Sequence, residues 1–218
     1  MAQGKFIVIE GTDGSGKTVQ FERLILAIPE GIKIGTLDFP RYSEPSSYFV
    51  QKYLKGTYGG DVGLEAASIF YAVDRFDARL RVMQWFDEGR VVIANRYVAS
   101  NMGYQGAKLE NKSEREKFYK WLYKLEYETF GVVKPDLNIV LHVSAEIAHE
   151  LMMKRGGKRD IHENDLAYQK RAEEVYLEIA KLFPDDFTVI ECAPNGAMLS
   201  VDEIHAKVWA AARKVLGI

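Results

Sequence analysis

Residues Gly11-Thr12-Asp13-Gly14-Ser15-Gly16-Lys17-Thr18 have the spacing G-x-x-x-x-G-K-[ST]. Each residue type has a chemical use. Glycines let backbone N–H groups turn toward one point, with no Cβ to obstruct an anion placed there. A helix starting at the end of the loop adds the positive end of its dipole. Lys17 has the reach for β- and γ-phosphates, and Thr18 offers a hydroxyl to Mg²⁺. The segment therefore reads as a site for ATP or GTP with Mg²⁺. It leaves the acceptor open, because motors, switches, helicases and small-molecule kinases share such a loop. A second acidic strand end normally helps to hold the metal. Here the run Val91-Val92-Ile93-Ala94 ends in Asn95-Arg96-Tyr97, an amide where an acid is expected.

The loop needs a strand before it and a helix after it. Phe6–Glu10 is a short apolar run, and Phe21, Leu24 and Leu26 follow at helical spacing. Val91–Ala94 and Leu137–His142 are similar apolar runs without polar alternation, as parallel strands covered on both faces require. Ile32–Leu37 and Phe187–Glu191 are weaker strand candidates. Helical patterns run over Leu64–Glu88 (through Ile69, Val73, Phe76, Leu80 and Trp85), Ser113–Thr129, Ala145–Lys154, Asp165–Leu182 and Val201–Val215. Ser144 and Ser200 precede two of them as N-caps. Strands alternating with helices predict an α/β fold with a doubly wound parallel sheet. No repeat or long Pro/Gly-rich linker divides residues 1–218, so one domain is expected.

Composition narrows the function. The chain has 218 residues, 47% hydrophobic and 28% charged, enough to bury a core without staples. Its net charge of −2 argues against nonspecific nucleic-acid binding through a global positive field. The single cysteine, Cys192, excludes an intramolecular disulfide. The opening apolar run is too short for a signal peptide, and no stretch reaches the roughly 20 residues that span a bilayer. A cytoplasmic protein without nucleic-acid or membrane partners is the expectation.

Taken together, the motifs resemble those of the thymidylate kinase family. Glu10 to Thr18 is similar to the family's phosphate loop, Phe39-Pro40-Arg41-Tyr42 to its Phe-Pro-Arg segment, and Asn95-Arg96-Tyr97 to its Asp-Arg-[Tyr/His]. Ser100-Asn101 and Tyr104-Gln105-Gly106 resemble its base- and sugar-recognition stretch. The resemblance covers nearly the whole length. It implies a P-loop NTPase-type, five-stranded nucleoside monophosphate kinase architecture, ATP and dTMP as substrates, Mg²⁺, and a homodimer paired through sheet-flanking helices. It also implies that Asp13 contacts the acceptor sugar's 3′-hydroxyl, that Arg41 holds the acceptor phosphate with Phe39 beside it, and that Tyr104 crowds the sugar's 2′ position.

The residues also have readings of their own. Pro40 stiffens the turn before Arg41, whose guanidinium can pair bidentately with phosphate near the sheet's carboxyl end. Phe70-Tyr71-Ala72-Val73-Asp74-Arg75 offers a stacking ring and a cation. Tyr71 shares a helix face with Arg75 at i, i+4, whereas Phe70 is displaced by about 100°. Tyr71 is the nominee for stacking and Phe70 its competitor, with plain core packing of both as the bland alternative. Asn101 and Gln105 each carry a donor and an acceptor able to read a pyrimidine edge. Lys154-Arg155-Gly156-Gly157-Lys158-Arg159-Asp160 puts cations around a Gly-Gly hinge and looks like the family's lid, about 154–164. The phosphate loop has no basic residue at its variable positions, which places the catalytic burden on Arg155 or Arg159, with Lys17 and Arg96.

Asn95 is the departure from the family pattern. Either it orients water on Mg²⁺, or it weakens turnover; on the second reading Asn95→Asp speeds the reaction. Two other functions fit parts of the chain: a kinase for a deoxynucleoside or another monophosphate, and a nucleotide-dependent switch. Arg41, Arg75 and Arg96 favour a phosphorylated acceptor, and no N-K-x-D guanine-reading segment is present.

Overall fold

A computed structural model describes residues 4–60, 62–155 and 165–218. Five parallel strands form one sheet: β1 (Lys5–Glu10), β2 (Ile34–Asp38), β3 (Val91–Asn95), β4 (Leu137–His142) and β5 (Phe187–Glu191). Their order is β2-β3-β1-β4-β5. The helices are α1 (Lys17–Ala27), α2 (Tyr48–Leu54), α3 (Leu64–Asp87), α4 (Val98–Gly106), α5 (Lys112–Tyr123), α6 (Ala145–Arg155), α7 (Leu166–Leu182) and α8 (Val201–Leu216). Within β1, Phe6 and Val8 join a core with α3, α4, α5 and α7, while Ile7 and Ile9 join another with α1 and α8. This two-sided burial is the physical reason for the unbroken apolar runs. Among the described residues no helix is long and apolar enough to cross a membrane.

The strand expectations hold to within two residues at any end, and Ser200 forms a capping box with Glu203. Ser113–Thr129 is not one regular helix, because α5 gives way at Lys124–Thr129 to a π-helical turn that carries the buried Glu126. Two helices lie outside the expected set. α2 is short, and α4 contains Gly103 and Gly106, which lie against the rings of Tyr176 and Tyr119. The cap of α4 comes from elsewhere in the chain: the buried Glu10 carboxylate accepts from Tyr97 N at 2.7 Å and Ser100 N at 3.2 Å.

Helix α3 does not bury the apolar residues whose spacing marked it as a helix. Its interior face consists of Ala67, Ser68, Ala72, Asp74, Arg75, Ala78 and Val82, while Ile69, Phe76 and Leu80 are exposed together with Met83. Small side chains let the helix approach the sheet, and the polar ones face the carboxyl ends of the strands. Leu26 of α1, counted in the apolar pattern, is likewise 84% exposed.

Toward its carboxyl end α3 packs against the edge strand. A Cβ on Gly35 would lie 2.3 Å from the Trp85 ring. Gly35→Ala is expected to lower stability by about 1–3 kcal/mol through overpacking, measured by denaturant unfolding. An unchanged midpoint would show that Trp85 moves aside at no cost.

Candidate active site

The phosphate loop links β1 to α1 at the carboxyl end of the central strand. Gly11 and Gly14 have φ values of 140° and 83°. A Cβ would come 2.6 Å from the Leu141 carbonyl oxygen at the first and 2.4 Å from that of Ala148 at the second. Only glycine fits this loop against β4 and α6. Thr12 Oγ1 and Ser15 Oγ are buried without a hydrogen-bond partner among the described residues, so both hydroxyls can still serve an anion. Lys17 is buried and donates to the Thr12 carbonyl at 2.6 Å. Burial above all, with Arg96 nearby, pushes its pKa down to about 7 against the opposing pull of Asp13, Glu10 and Asp38. A cavity of about 390 Å³ opens here, lined by the loop, Lys17, Thr18, Asn95, Arg96 and the α6 residues Leu151 and Met152.

A second cavity, of about 270 Å³, lies beyond the ends of β2 and β3. Asp13 and Arg96 line both cavities. Arg96 has a φ of 63°, uncommon for a residue with a side chain. Its guanidinium pairs with Asp13, donates to Ser100 Oγ at 3.2 Å and lies 5.2 Å from the Tyr104 ring centroid. Tyr104 donates to the other Asp13 oxygen at 2.6 Å. The junction between the cavities is therefore a fixed cation with its carboxylate and phenol.

The far end of this cavity suits a flat polar ring. Tyr71 lines it, whereas Phe70 turns away and stacks on Phe49 with ring centroids 5.5 Å apart. Asn101 and Gln105 are buried, and their carbonyl oxygens Oδ1 and Oε1 have no partner among the described residues. Asn101 Nδ2 is held by the Ser68 carbonyl at 3.0 Å and by Glu126 at 3.2 Å. Phe39, Ser100 and Tyr104 complete the walls, with the Ser100 hydroxyl donating to Glu10 at 2.6 Å.

Arg75 and Arg41, both expected on the acceptor side, are separated. Arg75 lines the cavity and is paired with the buried Glu126, Nε to Oε2 at 2.6 Å. Arg41 is not among the lining residues. Its guanidinium donates to Asp74 at 3.1 Å, to Asp77 at 2.6 Å and to Ser46 at 2.9 Å. Asp74 directly precedes Arg75, so one helical turn supplies both a carboxylate for Arg41 and a cation for the cavity. Lys154 is exposed and Arg155 ends α6. The side chain of Arg155, Arg159 and the rest of the expected lid through 164 lie outside the described residues.

Four carboxylates of the site were given no role by the motif reading: Glu10 and Asp74, which lie within quoted motifs, and Asp38 and Glu126, which do not. Asp38 ends β2 beside Asn95, whose Nδ2 donates to it at 2.9 Å. Desolvation raises the Asp38 pKa, opposed by the Asn95 hydrogen bond and by the Arg96 and Lys17 charges. Its place just before Phe39-Pro40-Arg41 was the available signal.

The position of Lys17 has a measurable consequence. Its folded pKa lies below the ordinary lysine value of 10.5, so the unfolded chain binds more protons between pH 7 and that value, and this difference stabilises the fold as pH rises through the window. Polyphosphate next to Lys17 favours the cation. ADP binding at pH 8 to 8.5 is therefore expected to take up about one proton, measured by calorimetry in buffers of different ionisation enthalpy. Lys17→Met should abolish the uptake, and no uptake in the parent would mean that Lys17 is already charged.

Comparison with known proteins agrees with this geometry. The profile of the thymidylate kinase family matches residues 9–207. A thymidylate kinase from Mycobacterium tuberculosis is 36% identical over 183 residues, covering 80% of this chain and 85% of that protein. One from Dictyostelium discoideum is 29% identical over 208 residues, covering 94% and 83%. A probable thymidylate kinase from Pyrococcus abyssi is 28% identical over 221 residues, covering 99% and 100%. A profile match over that much of the chain, together with a relative of that identity, means that the chain belongs to the thymidylate kinase family, phosphotransferases that act on dTMP with ATP.

Proposed function

We propose that residues 1–218 work as one cytoplasmic kinase domain that transfers the γ-phosphoryl group of ATP to dTMP, giving dTDP and ADP. The observation that carries this reading is the meeting of two cavities at one ion pair, Asp13–Arg96. ATP phosphates lie in the loop Gly11–Thr18, cradled by backbone N–H groups and by Lys17. In the second cavity Tyr71 stacks on the thymine, Asn101 and Gln105 hydrogen-bond its polar edge, and Asp13 and Tyr104 flank the sugar. Arg75 supplies positive charge there, with Phe39 and Ser100 as walls. Arg41 braces α3 through Asp74 and Asp77.

During transfer the bond from the γ-phosphorus to the β,γ-bridging oxygen breaks, and a bond to an acceptor phosphate oxygen forms. The acceptor phosphate is already ionised, so no base is demanded; placement and charge stabilisation carry the catalysis. Arg96 faces both nucleotides and neutralises charge on the transferring group. Arg155 and Arg159 are the arginines we assign to closing over it.

The residues present fit Mg²⁺. Thr18 opens on the phosphate cavity, and Asn95 Oδ1 is buried there without a partner among the described residues. No cluster of three His, Cys, Asp or Glu that could hold a metal alone occurs among the described residues. That suits an ion bound mainly by nucleotide phosphates and waters. When bound, the ion would be held by Thr18 and, through water, by Asn95, and would offset the charge of the phosphate oxygens.

A coupled ADP-release assay over nucleosides and nucleoside monophosphates tests the reading, with dTMP expected as the preferred acceptor. Tyr71→Ala should raise the dTMP KM roughly 5- to 150-fold, while Phe70→Ala leaves it near the parent value. Preference for an unphosphorylated nucleoside, or a dTMP KM that responds to Phe70 alone, would refute these assignments.

The homodimer reading rests on α3. Ile69, Val73, Phe76, Leu80 and Met83 follow the alternating spacing of a helix-pairing seam, and Leu80 is 68% exposed. A second copy of the chain docking its own α3 covers this stripe. Light scattering should give a dimer for the parent and a monomer for Leu80→Glu; a monomeric parent would overturn it.

A further inference from the structure

Strands β2 and β3 run in parallel, with Asp38 opposite Asn95 at their carboxyl ends. Both side chains stand at the boundary of the two cavities. Asp38 lines the acceptor cavity and Asn95 the phosphate cavity. Asn95 Nδ2 donates to Asp38 Oδ1 at 2.9 Å, and its buried Oδ1 has no partner among the described residues. Lys17 and Arg96 are close enough for their charges to act on the Asp38 carboxylate. The other acids near the loop are committed. Glu10 accepts from two backbone N–H groups and two hydroxyls, and Asp13 from Arg96 and Tyr104.

We propose that Asp38 is the acid serving the phosphoryl-transfer site, positioned by Asn95, and that the reaction needs one carboxylate in this pair on either strand. The proposal rests on the reading of the chain as a Mg²⁺-dependent dTMP kinase. Magnesium keeps several waters and is held by one or two carboxylates together with substrate phosphates. Asp38 supplies the negative charge for that water shell from β2. Asn95 acts through it, donating one hydrogen bond to Asp38 and presenting a neutral acceptor toward the phosphate loop. The amide in Asn95-Arg96-Tyr97 is then one half of a relocated acid, not a weakened site. This reverses the expectation that Asn95→Asp speeds turnover. A second carboxylate would face Asp38 at hydrogen-bond distance, and like charges so close cannot both ionise readily.

The test compares the parent, Asp38→Asn, Asn95→Asp and the double variant carrying both changes. Turnover with ATP and dTMP is measured across Mg²⁺ concentrations, and affinity for a non-hydrolysable ATP analogue is measured with and without Mg²⁺. Asp38→Asn should lose about tenfold or more in kcat, as expected when one charged interaction at the transferring group is removed, and Asn95→Asp, whose added carboxyl shares one charge with Asp38, should be no faster than the parent. The half-saturating Mg²⁺ concentration of Asp38→Asn should rise. The double variant, which restores one carboxylate on the other strand, should exceed Asp38→Asn. It should also regain the Mg²⁺-dependent tightening of the analogue that Asp38→Asn loses. Parent-like turnover and Mg²⁺ dependence in Asp38→Asn, a double variant no better than Asp38→Asn, or an Asn95→Asp variant faster than the parent would overturn the proposal. If Asn95→Asp does not fold, Asp38→Asn and the double variant still decide it. A parent inactive on dTMP would instead refute the function, and the analogue affinities would still judge the pair.

Discussion

The buried carboxylate of Glu10 is the constraint on which the site depends. It ends the central strand with no solvent exposure, a placement that costs several kcal/mol unless its oxygens are hydrogen-bonded. They accept from Tyr97 N, Ser100 N, Ser100 Oγ and Tyr176 Oη, at 2.6 to 3.2 Å. One side chain thus caps α4, ties it to β1 and joins α7 to both. The phosphate loop starts at the next residue, and Arg96 immediately precedes the capped Tyr97. Holding Tyr97 against Glu10 places Arg96 in its left-handed conformation and sends the guanidinium back over the loop. The geometry that lets Arg96 face two cavities follows from how one acid is satisfied.

Around that anchor the cations are matched with acids inside the protein. Arg96 pairs with Asp13, Arg75 with Glu126, and Arg41 with Asp74 and Asp77. These pairs hold the guanidinium planes before an anion arrives, and such preorganisation makes charge stabilisation effective. They also separate roles that look alike in sequence. Arg75 keeps a face in the acceptor cavity, while Arg41 pairs with Asp74 and Asp77 of α3. Burying large charged groups along one face of α3 leaves its large apolar side chains to face outward, which is why its hydrophobic spacing signals a helix without signalling its interior.

Much of the architecture was legible because it is written locally. Buried parallel strands show as short unbroken apolar runs, and the phosphate loop is contiguous, with each residue type required by backbone geometry. The choice of Tyr71 over Phe70 as a lining residue also follows from spacing within one helix. Helix α4 was not legible: its cap lies on another strand, and its glycines reflect rings arriving from other helices. The π-helical turn was hidden for a similar reason, since the buried acid it carries is explained by Arg75 and Asn101 on other helices.

The sequence by itself determined the phosphate loop, the alternation of strands and helices, and the likeness to the thymidylate kinase family. All three depend on residues adjacent in the chain or repeated at a fixed period. The tertiary structure alone decided which charges meet. Glu10 and Ser100 are 90 residues apart, Arg75 and Glu126 51, and Asp38 and Asn95 57. Spacing encodes which face of its own element a side chain occupies. It does not encode what lies opposite, and the electrostatics of a buried group are set by what lies opposite.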